Sequence, residues 1–312
     1  MTRAFFIVGP TATGKSEIAA DIACELGAEI VNADAFQIYR GLDLLAAKPD
    51  GSTLEKAPHH LIGTLSLTKE MNAEKFRRAA TCAIEGINSR GKVAIVVGGS
   101  GLYVKALTHG LDPLPKADPN LREKLNAMSL DELLSQLGKL DPRMARKVDL
   151  KNRRRVVRAL EICLLTGKRA SDVIAGVGDA GGPGSPIPAK GIFVFRDREE
   201  LYERINQRVE MMFERGVVEE VRAAGTTSAT ASQMIGLREI RDLLAGKKLL
   251  PQCIAEIQQS TRRYAKRQLT WFRRQTNFSP LNLSPLSHNE ARILLRKHLE
   301  RRRVSQVRAR HD

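Results

Sequence analysis

Near the N-terminus, Gly9-Pro10-Thr11-Ala12-Thr13-Gly14-Lys15-Ser16 fits the pattern G-x-x-x-x-G-K-[ST] and follows the apolar run Phe5-Phe6-Ile7-Val8. A strand feeding such a loop lets small residues turn consecutive backbone N–H groups onto phosphate oxygens, at the positive end of the helix expected from Glu17 to Leu26. Lys15 would reach the outermost phosphate, and the Ser16 hydroxyl is placed to join the shell of a Mg²⁺ that bridges phosphate oxygens. The loop alone leaves open which phosphate compound it holds.

Other chemistry-bearing residues stand at intervals along the chain. Asp34, within Val31-Asn32-Ala33-Asp34-Ala35-Phe36-Gln37, is the first acid on a strand end after the loop; it can accept a proton close to a phosphate, join a metal shell, or simply cap a helix. In Gly98-Gly99-Ser100-Gly101 the glycines let a substrate approach the backbone and Ser100 adds a small hydroxyl. Arg204 and Arg208 lie four apart, hence on one helix face, and facing a cleft they could clamp a diphosphate. A nucleotide hydrolase would be expected to end its third strand in a Mg²⁺-holding acid, whereas Val93-Ala94-Ile95-Val96-Val97 ends in glycines and a serine.

These residues need a scaffold that gathers them. Short apolar runs at Ala4–Val8, Glu29–Asn32 and Val93–Val97 alternate with helical patterns, including one from about Ala73 to Ser89, which argues for a parallel sheet with crossover helices. Ligands of such sheets bind at the carboxyl ends of the strands, where the loop, Asp34 and Ser100 all fall. The expected class is α/β: a P-loop NTPase-like parallel sheet flanked by helices, with an inserted all-helical domain and a helical basic C-terminal region. The divisions are 1–115 for the first part of the core, 116–190 for the helical insert with its Gly/Pro-rich connector (176–191), 191–285 for the rest of the core and 286–312 for the basic tail. Asp118-Pro119 and Asp141-Pro142 read as helix starts, Ile192–Phe195 as a strand returning to the sheet, and the chain beyond as almost all helical, from Glu199 to Arg215, Val217 to Ala223, Met234 to Leu244 and Pro251 to Arg274. The tail, with Arg301-Arg302-Arg303, reads equally as a helix gripping RNA phosphates or as a solvated, fraying end.

Composition narrows the partners. Of 312 residues, 51 are Lys or Arg and 35 Asp or Glu, a net charge of +16 that favours polyanions, nucleic acid first and an anionic membrane surface second. The membrane weakens as an option because no apolar stretch approaches a spanning length, and with no visible signal peptide a cytoplasmic location is expected. Aromatic residues make up only 4%, too few for an extended base-stacking platform, so recognition by shape and phosphates suits better. Cys24, Cys82, Cys163 and Cys253 stand far apart and read as reduced, mostly buried thiols; neither they nor His59-His60 suggest a metal site.

Taken in order, GPTATGKS at 9–16, the stretch from Asp34 to Ile38-Tyr39-Arg40-Gly41, Ala47-Lys48-Pro49, Pro58-His59-His60-Leu61-Ile62, Val97 to Tyr103, Leu114-Pro115 with Arg122, Arg154 to Glu161, Asp197 to Val209, Ile235-Gly236 and Arg263 to Trp271 form a specific set. The chain resembles the tRNA dimethylallyltransferases, also called tRNA isopentenyltransferases, from Phe6 to about Arg274. Gly63, where many members carry Asp, Arg153 in place of a common Pro, and an atypical Leu65–Met71 are its departures.

The resemblance implies transfer of a dimethylallyl group from dimethylallyl diphosphate to N6 of the adenosine 3′ of the anticodon (position 37), in tRNAs that read codons beginning with U, with release of diphosphate. No nucleotide is then hydrolysed, which removes the puzzle of the missing acid. It implies that Gly9, Pro10, Thr11, Ala12, Thr13, Gly14, Lys15 and Ser16 hold the diphosphate with Mg²⁺ on Ser16, that Asp34, Ser100, Arg204 and Arg208 serve the chemistry with Asp34 as base, and that Asp34, Ala35, Phe36, Gln37 and Ser100 line the pocket of the extruded base. Arg122, Arg154, Arg155, Arg158, Gln233 and Arg238 map onto contacts with the tRNA anticodon arm, and a monomer is expected. The competing readings are a small kinase, which predicts an acid after the third strand, an enzyme prenylating free adenine nucleotides, which needs no RNA-sized basic surface, and a non-catalytic RNA-binding protein, which leaves the cleft residues without purpose.

Overall fold

The structure, a computed structural model, describes residues 4–111, 114–150, 152–175, 187 and 189–308. The chain divides into two compact units, Met1–Thr108 with Pro186–Asp312, and His109–Ser185.

In the first unit β1 (Ala4–Val8), β2 (Glu29–Asn32), β3 (His59–His60), β4 (Ala94–Gly98), β5 (Ala189–Phe195) and β6 (Ser279–Asn282) form one sheet, in the order β3-β2-β4-β1-β5-β6. Every described pairing is parallel. The central strands are unbroken apolar runs because both faces are covered. Alternate residues go to opposite sides: Phe6, Val8, Val31, Val96 and Phe193 join the core on one face, and Phe5, Ile7, Ile30, Ile95 and Val194 that on the other. Over the first face lie α3 (Ala73–Ser89), α4 (Gly101–Thr108), α10 (Arg198–Glu214), α11 (Val217–Ala223), α12 (Leu237–Leu244) and α13 (Leu250–Gln275); over the second lie α1 (Lys15–Leu26) and α14 (His288–Arg308). A short α2 (Gly51–Glu55) precedes β3. In α3, Phe76, Ala80, Ile84 and Ile87 present one buried stripe, and the Asn72 side chain caps the helix by accepting from the Lys75 N–H.

The structure adds two edge strands that the sequence did not announce and corrects two expectations. Beyond the expected helices the chain adds β6, which closes one edge of the sheet, a place where its Pro280 costs no needed hydrogen bond. β3, with two half-buried histidines, is the opposite edge and was too short and polar to announce itself. The C-terminal segment from His288 to Leu299 neither frays nor stands free, because Ala291, Leu295 and Leu299 are buried against α1 while Arg292 and Arg296 pair with Glu25. β5 also starts earlier than Ile192, at Ala189, so 189–191 belong to the sheet and not to the connector; residues 176–186 and 188 lie outside the described residues.

The second unit contains α5 (Pro119–Ala127), α6 (Leu130–Leu140), α7 (Pro142–Lys147), α8 (Arg153–Thr166) and α9 (Ala170–Ala175). Asp118 and Asp141 cap α5 and α7, with Pro at the first helical position. Asp141 is fully buried and its carboxylate also accepts from Ser171, so one side chain ties α7 to the start of α9. Leu133 and Leu137 of α6 meet Val156, Leu160 and Ile162 of α8 in a small core of their own.

Candidate active site

The loop after β1 is held by its own carbonyls. The Pro10 carbonyl accepts from Thr13 Oγ1 and Lys15 Nζ, both at 3.1 Å. The Ala12 carbonyl accepts from Arg204 Nε at 2.9 Å, and that of Thr13 from Arg196 Nε at 3.0 Å. With these carbonyls tied, the peptide planes are fixed, which is the condition for a preformed anion cradle. Gly14 enters α1 at φ 86°, a left-handed turn that suits glycine, and a Cβ on Gly9 would lie 2.1 Å from the Val194 carbonyl oxygen of the neighbouring strand.

Cationic side chains crowd this loop. Arg208, one turn beyond Arg204 on α10, donates from one terminal nitrogen to Thr11 Oγ1 at 2.8 Å, while its Nε is buried without a partner among the described residues. Burial pushes the Arg208 guanidinium down to about 10, against the pull of Asp34 and with the push of Arg204. Burial likewise brings the Lys15 ammonium down to about 8; Asp34 opposes this and Arg208 adds to it. Desolvated cations with a donor unspent are a poor arrangement for an empty protein and a good one for an anion.

Asp34 stands opposite them. Its Oδ1 accepts from the N–H of Phe36 at 3.0 Å and of Gln37 at 3.4 Å, so Asp34 caps a turn and not the helix that the sequence allowed. Capping occupies one oxygen, and Asp34 still lines a cleft with Thr11, Arg208 and Tyr264. Ser100 lies beside it, its Oγ accepting from the Ala35 N–H at 2.9 Å and its own N–H reaching the Ala33 carbonyl, which joins the ends of β4 and β2. Apart from Thr261, whose hydroxyl donates to the Ile257 carbonyl, the rest of the cleft is apolar, with Phe36, Leu45, Val209, Met212, Met234, Ile235 and Ile257 among its lining. The phosphate loop, Asp34, Ser100, Arg204 and Arg208 therefore meet at the carboxyl ends of the strands. The two arginines divide the work, Arg204 bracing the loop and Arg208 facing the cleft.

Other expected binding residues are dispersed. Phe36 lines the cleft, but the Gln37 amide donates to the Ala47 carbonyl at 2.8 Å and so fixes its wall. Gln233 and Arg238 are exposed on either side of Met234 and Ile235. In the second unit Arg154 and Arg155 are exposed, whereas Arg122 and Arg158 both donate to Glu161 Oε2, and Arg158 also reaches the Pro115 carbonyl. Glu161 is fully buried and its Oε1 has no partner among the described residues. Arg153 gathers the carbonyls of Leu125, Asn126 and Met128 at the end of α5. All four cysteines are free; Cys163 and Cys253 are buried, but Cys24 and Cys82 are exposed.

Sequence reasoning gave no role to Arg196, Tyr264 or Gln268. Tyr264 and Gln268 project from one face of α13 with Trp271, the spacing i, i+4, i+7 being the one signal available. Burial, with Asp34 beside it, pushes the Tyr264 phenol well above its ordinary range, so it stays protonated and able to donate.

Metal binding can be judged from the donors. No group of three His, Cys, Asp or Glu side chains among the described residues could hold a metal. Ser16, in the first turn of α1, borders a small cavity with Asn32, Gln37 and His59, all neutral. One hard hydroxyl oxygen and no carboxylate cage is the kind of site that Mg²⁺ occupies together with phosphate oxygens and water.

The chain is similar to known proteins along most of its length. A family profile described as IPP transferase matches residues 37–275. The chain is 44% identical over 268 residues to tRNA dimethylallyltransferase 1 of Citrifermentans bemidjiense, covering 85% of this chain and 87% of that one. It is 42% identical over 281 residues to the tRNA dimethylallyltransferase of Akkermansia muciniphila, covering 90% and 93%. Among solved structures it is similar to the full-length tRNA isopentenylpyrophosphate transferase of Bacillus halodurans, with a TM-score of 0.73 and 32% identity over 100% of both chains. A eukaryotic dimethylallyltransferase acting on tRNA gives a TM-score of 0.74 at 26% identity, covering 91% of this chain and 74% of that one. On the match of fold and sequence together, the chain belongs to the IPP transferase family.

Proposed function

We propose that this protein transfers a dimethylallyl group from dimethylallyl diphosphate to N6 of adenosine 37, next to the anticodon, in tRNAs reading codons that begin with U. What supports the reading above all is one juxtaposition: an anion cradle with desolvated Lys15 and Arg208, one carboxylate facing them, and an apolar cleft alongside. The diphosphate occupies the loop of residues 9–16, and the dimethylallyl group meets the apolar wall. As the bond between C1 and the diphosphate oxygen breaks, charge grows on that oxygen, and Lys15, the loop amides and Arg208 Nε stabilise it. Mg²⁺, held by Ser16 and phosphate oxygens, adds charge neutralisation when bound.

The adenosine amine is a weak nucleophile because its lone pair is delocalised into the purine. As N6 bonds to C1, its proton passes to the Asp34 oxygen that does not cap the loop. The base cannot react while stacked, so it is extruded into the pocket beside Phe36 and Ser100. Arg122, Arg154, Arg155, Arg158, Gln233 and Arg238 contact the anticodon arm and account for part of the +16 charge. The protein acts as a monomer in the cytoplasm on this reading, and no helix among the described residues is long and apolar enough to cross a membrane. A kinase reading is disfavoured by the glycines and serine that follow β4.

The test is incubation with Mg²⁺, labelled dimethylallyl diphosphate and unmodified tRNA, in parallel with AMP and with ATP. Label on N6 of adenosine 37 is expected. Label in AMP or ATP, or consumption of ATP without prenyl transfer, would replace this reading by one of its rivals.

A further inference from the structure

The phosphate loop follows β1 and the Ser100 turn follows β4, and one side chain from a third element joins them. Gln268, on α13 and 5% exposed, accepts from the Thr11 N–H through Oε1 at 2.9 Å and donates through Nε2 to the Gly99 carbonyl at 2.8 Å. Both ends of the amide are thus used, one as acceptor and one as donor, a pair that an ionised glutamate of the same length cannot offer. The Thr11 N–H is consumed by this contact. Phosphate oxygens are left the amides beyond it, and Thr11 Oγ1 stays turned to Arg208. On the other side the Gly99 carbonyl fixes the turn whose next residue, Ser100, holds the Ala35 amide beside Asp34.

We propose that Gln268 is a positioning residue that sets the distance between the diphosphate end and the acceptor end of the cleft. This inference rests on the prenyl-transfer reading for its consequence, though not for its geometry. In-line displacement needs C1 and N6 within near-attack range, so a loosened link lowers the rate of the bond-making step more than the binding of either substrate. The backbone shows how tight the link is: a Cβ on Gly99 would lie 2.3 Å from Gln268 Nε2. Gly99→Ala therefore displaces the same contact from its other side.

The experiment measures single-turnover prenyl transfer at saturating tRNA and donor, tRNA affinity, affinity for inorganic diphosphate with Mg²⁺, and thermal melting, for Gln268→Leu, Gln268→Glu, Gly99→Ala and the double variant Gln268→Leu/Gly99→Ala. Gln268→Leu is expected to lose about 30- to 100-fold in rate with tRNA affinity within about threefold of wild type. Gly99→Ala is expected to lose a similar factor, and the double variant no more than the worse single, since both remove one contact. In Gln268→Glu an ionised carboxylate repels the Gly99 carbonyl, but a protonated one restores the missing donor. Its rate relative to wild type is expected to climb as pH falls, while the ratio for Gln268→Leu stays flat. Wild-type rates in the variants, additive losses, or a loss explained by weaker tRNA binding or unfolding would each overturn the proposal. If wild-type protein transfers no prenyl group, the functional reading fails instead. The Gln268 link is then judged by diphosphate affinity, expected to fall in Gln268→Leu and Gly99→Ala alike; an unchanged affinity would overturn it.

Discussion

The two ends of β2 carry acids in opposite circumstances. At its start Glu29, 3% exposed, receives His60, Arg90 and Lys92 at 2.7 to 2.9 Å. Burial pushes its carboxyl up, but the hydrogen bonds from His60, Lys92 and Arg90 override this and bring it down to about 2. Beyond its other end Asp34 faces Lys15 and Arg208, and there the cations are displaced, each lowered by burial. At the first end the cations donate directly to the carboxylate; at the second, Lys15 and Arg208 donate only to the Pro10 carbonyl and Thr11 Oγ1, and a buried Arg208 donor is unspent. A matched cluster belongs to the fold, and an unmatched one waits for a ligand.

The comparison breaks most sharply at Asp34. Asp34→Asn keeps an oxygen to accept from Phe36 and Gln37 but removes the base, so turnover is expected to fall by about 10³-fold with tRNA affinity retained. Single-turnover rates beside filter binding decide it, and unchanged turnover would remove Asp34 from that role. The next effect separates the arginines. Arg208→Met is expected to cost about 10²-fold in kcat/KM, as for one donor to a developing oxyanion, and Arg204→Met about tenfold, since it loses one bond to a loop carbonyl. Equal losses in steady-state kinetics would contradict the division between cleft and brace.

At the matched end, Glu29→Gln is expected to cost about 3 kcal/mol, the low end for removing one member of a buried ion cluster because its partners are half in water. Turnover of the folded protein should be unchanged. The sign with pH follows from the lowered carboxyl: its contribution is complete above the ordinary glutamate range and is lost as pH falls towards about 2. Denaturant titrations from neutral to acid pH should show that slope in wild type and its weakening in Glu29→Gln.

How far these regions could be read from the sequence differs for physical reasons. The loop, Asp34 and Ser100 were legible because each sits where an apolar run stops, and parallel strands bring such points together. Gln268 was not, since the only local trace is the helical spacing it shares with Tyr264 and Trp271 and its bond to Thr11 spans 257 residues. The same holds for Arg196, whose partners Thr13 and Leu283 lie on separate strand ends. The role of α14 was hidden by its charge, which masks the spacing of Ala291, Leu295 and Leu299. Arg122 and Arg158 were legible as contacts with the anticodon arm, but no pattern revealed that Glu161 would be buried between them.

The central claim, that the cleft holds cations in reserve for a diphosphate, has a direct measure in protons. Lys15 near pKa 8 is largely neutral in the empty protein at pH 8.5, and a bound anion raises it, so binding must take up a proton. Affinity then falls as pH rises above about 8, by up to about tenfold per unit. Calorimetric titration of dimethylallyl diphosphate with Mg²⁺ at pH 8.5, in buffers of different ionisation enthalpy, counts that proton. The account predicts net uptake in wild type and its loss in Lys15→Met. Tight binding with no uptake, or the same uptake in both proteins, would contradict it.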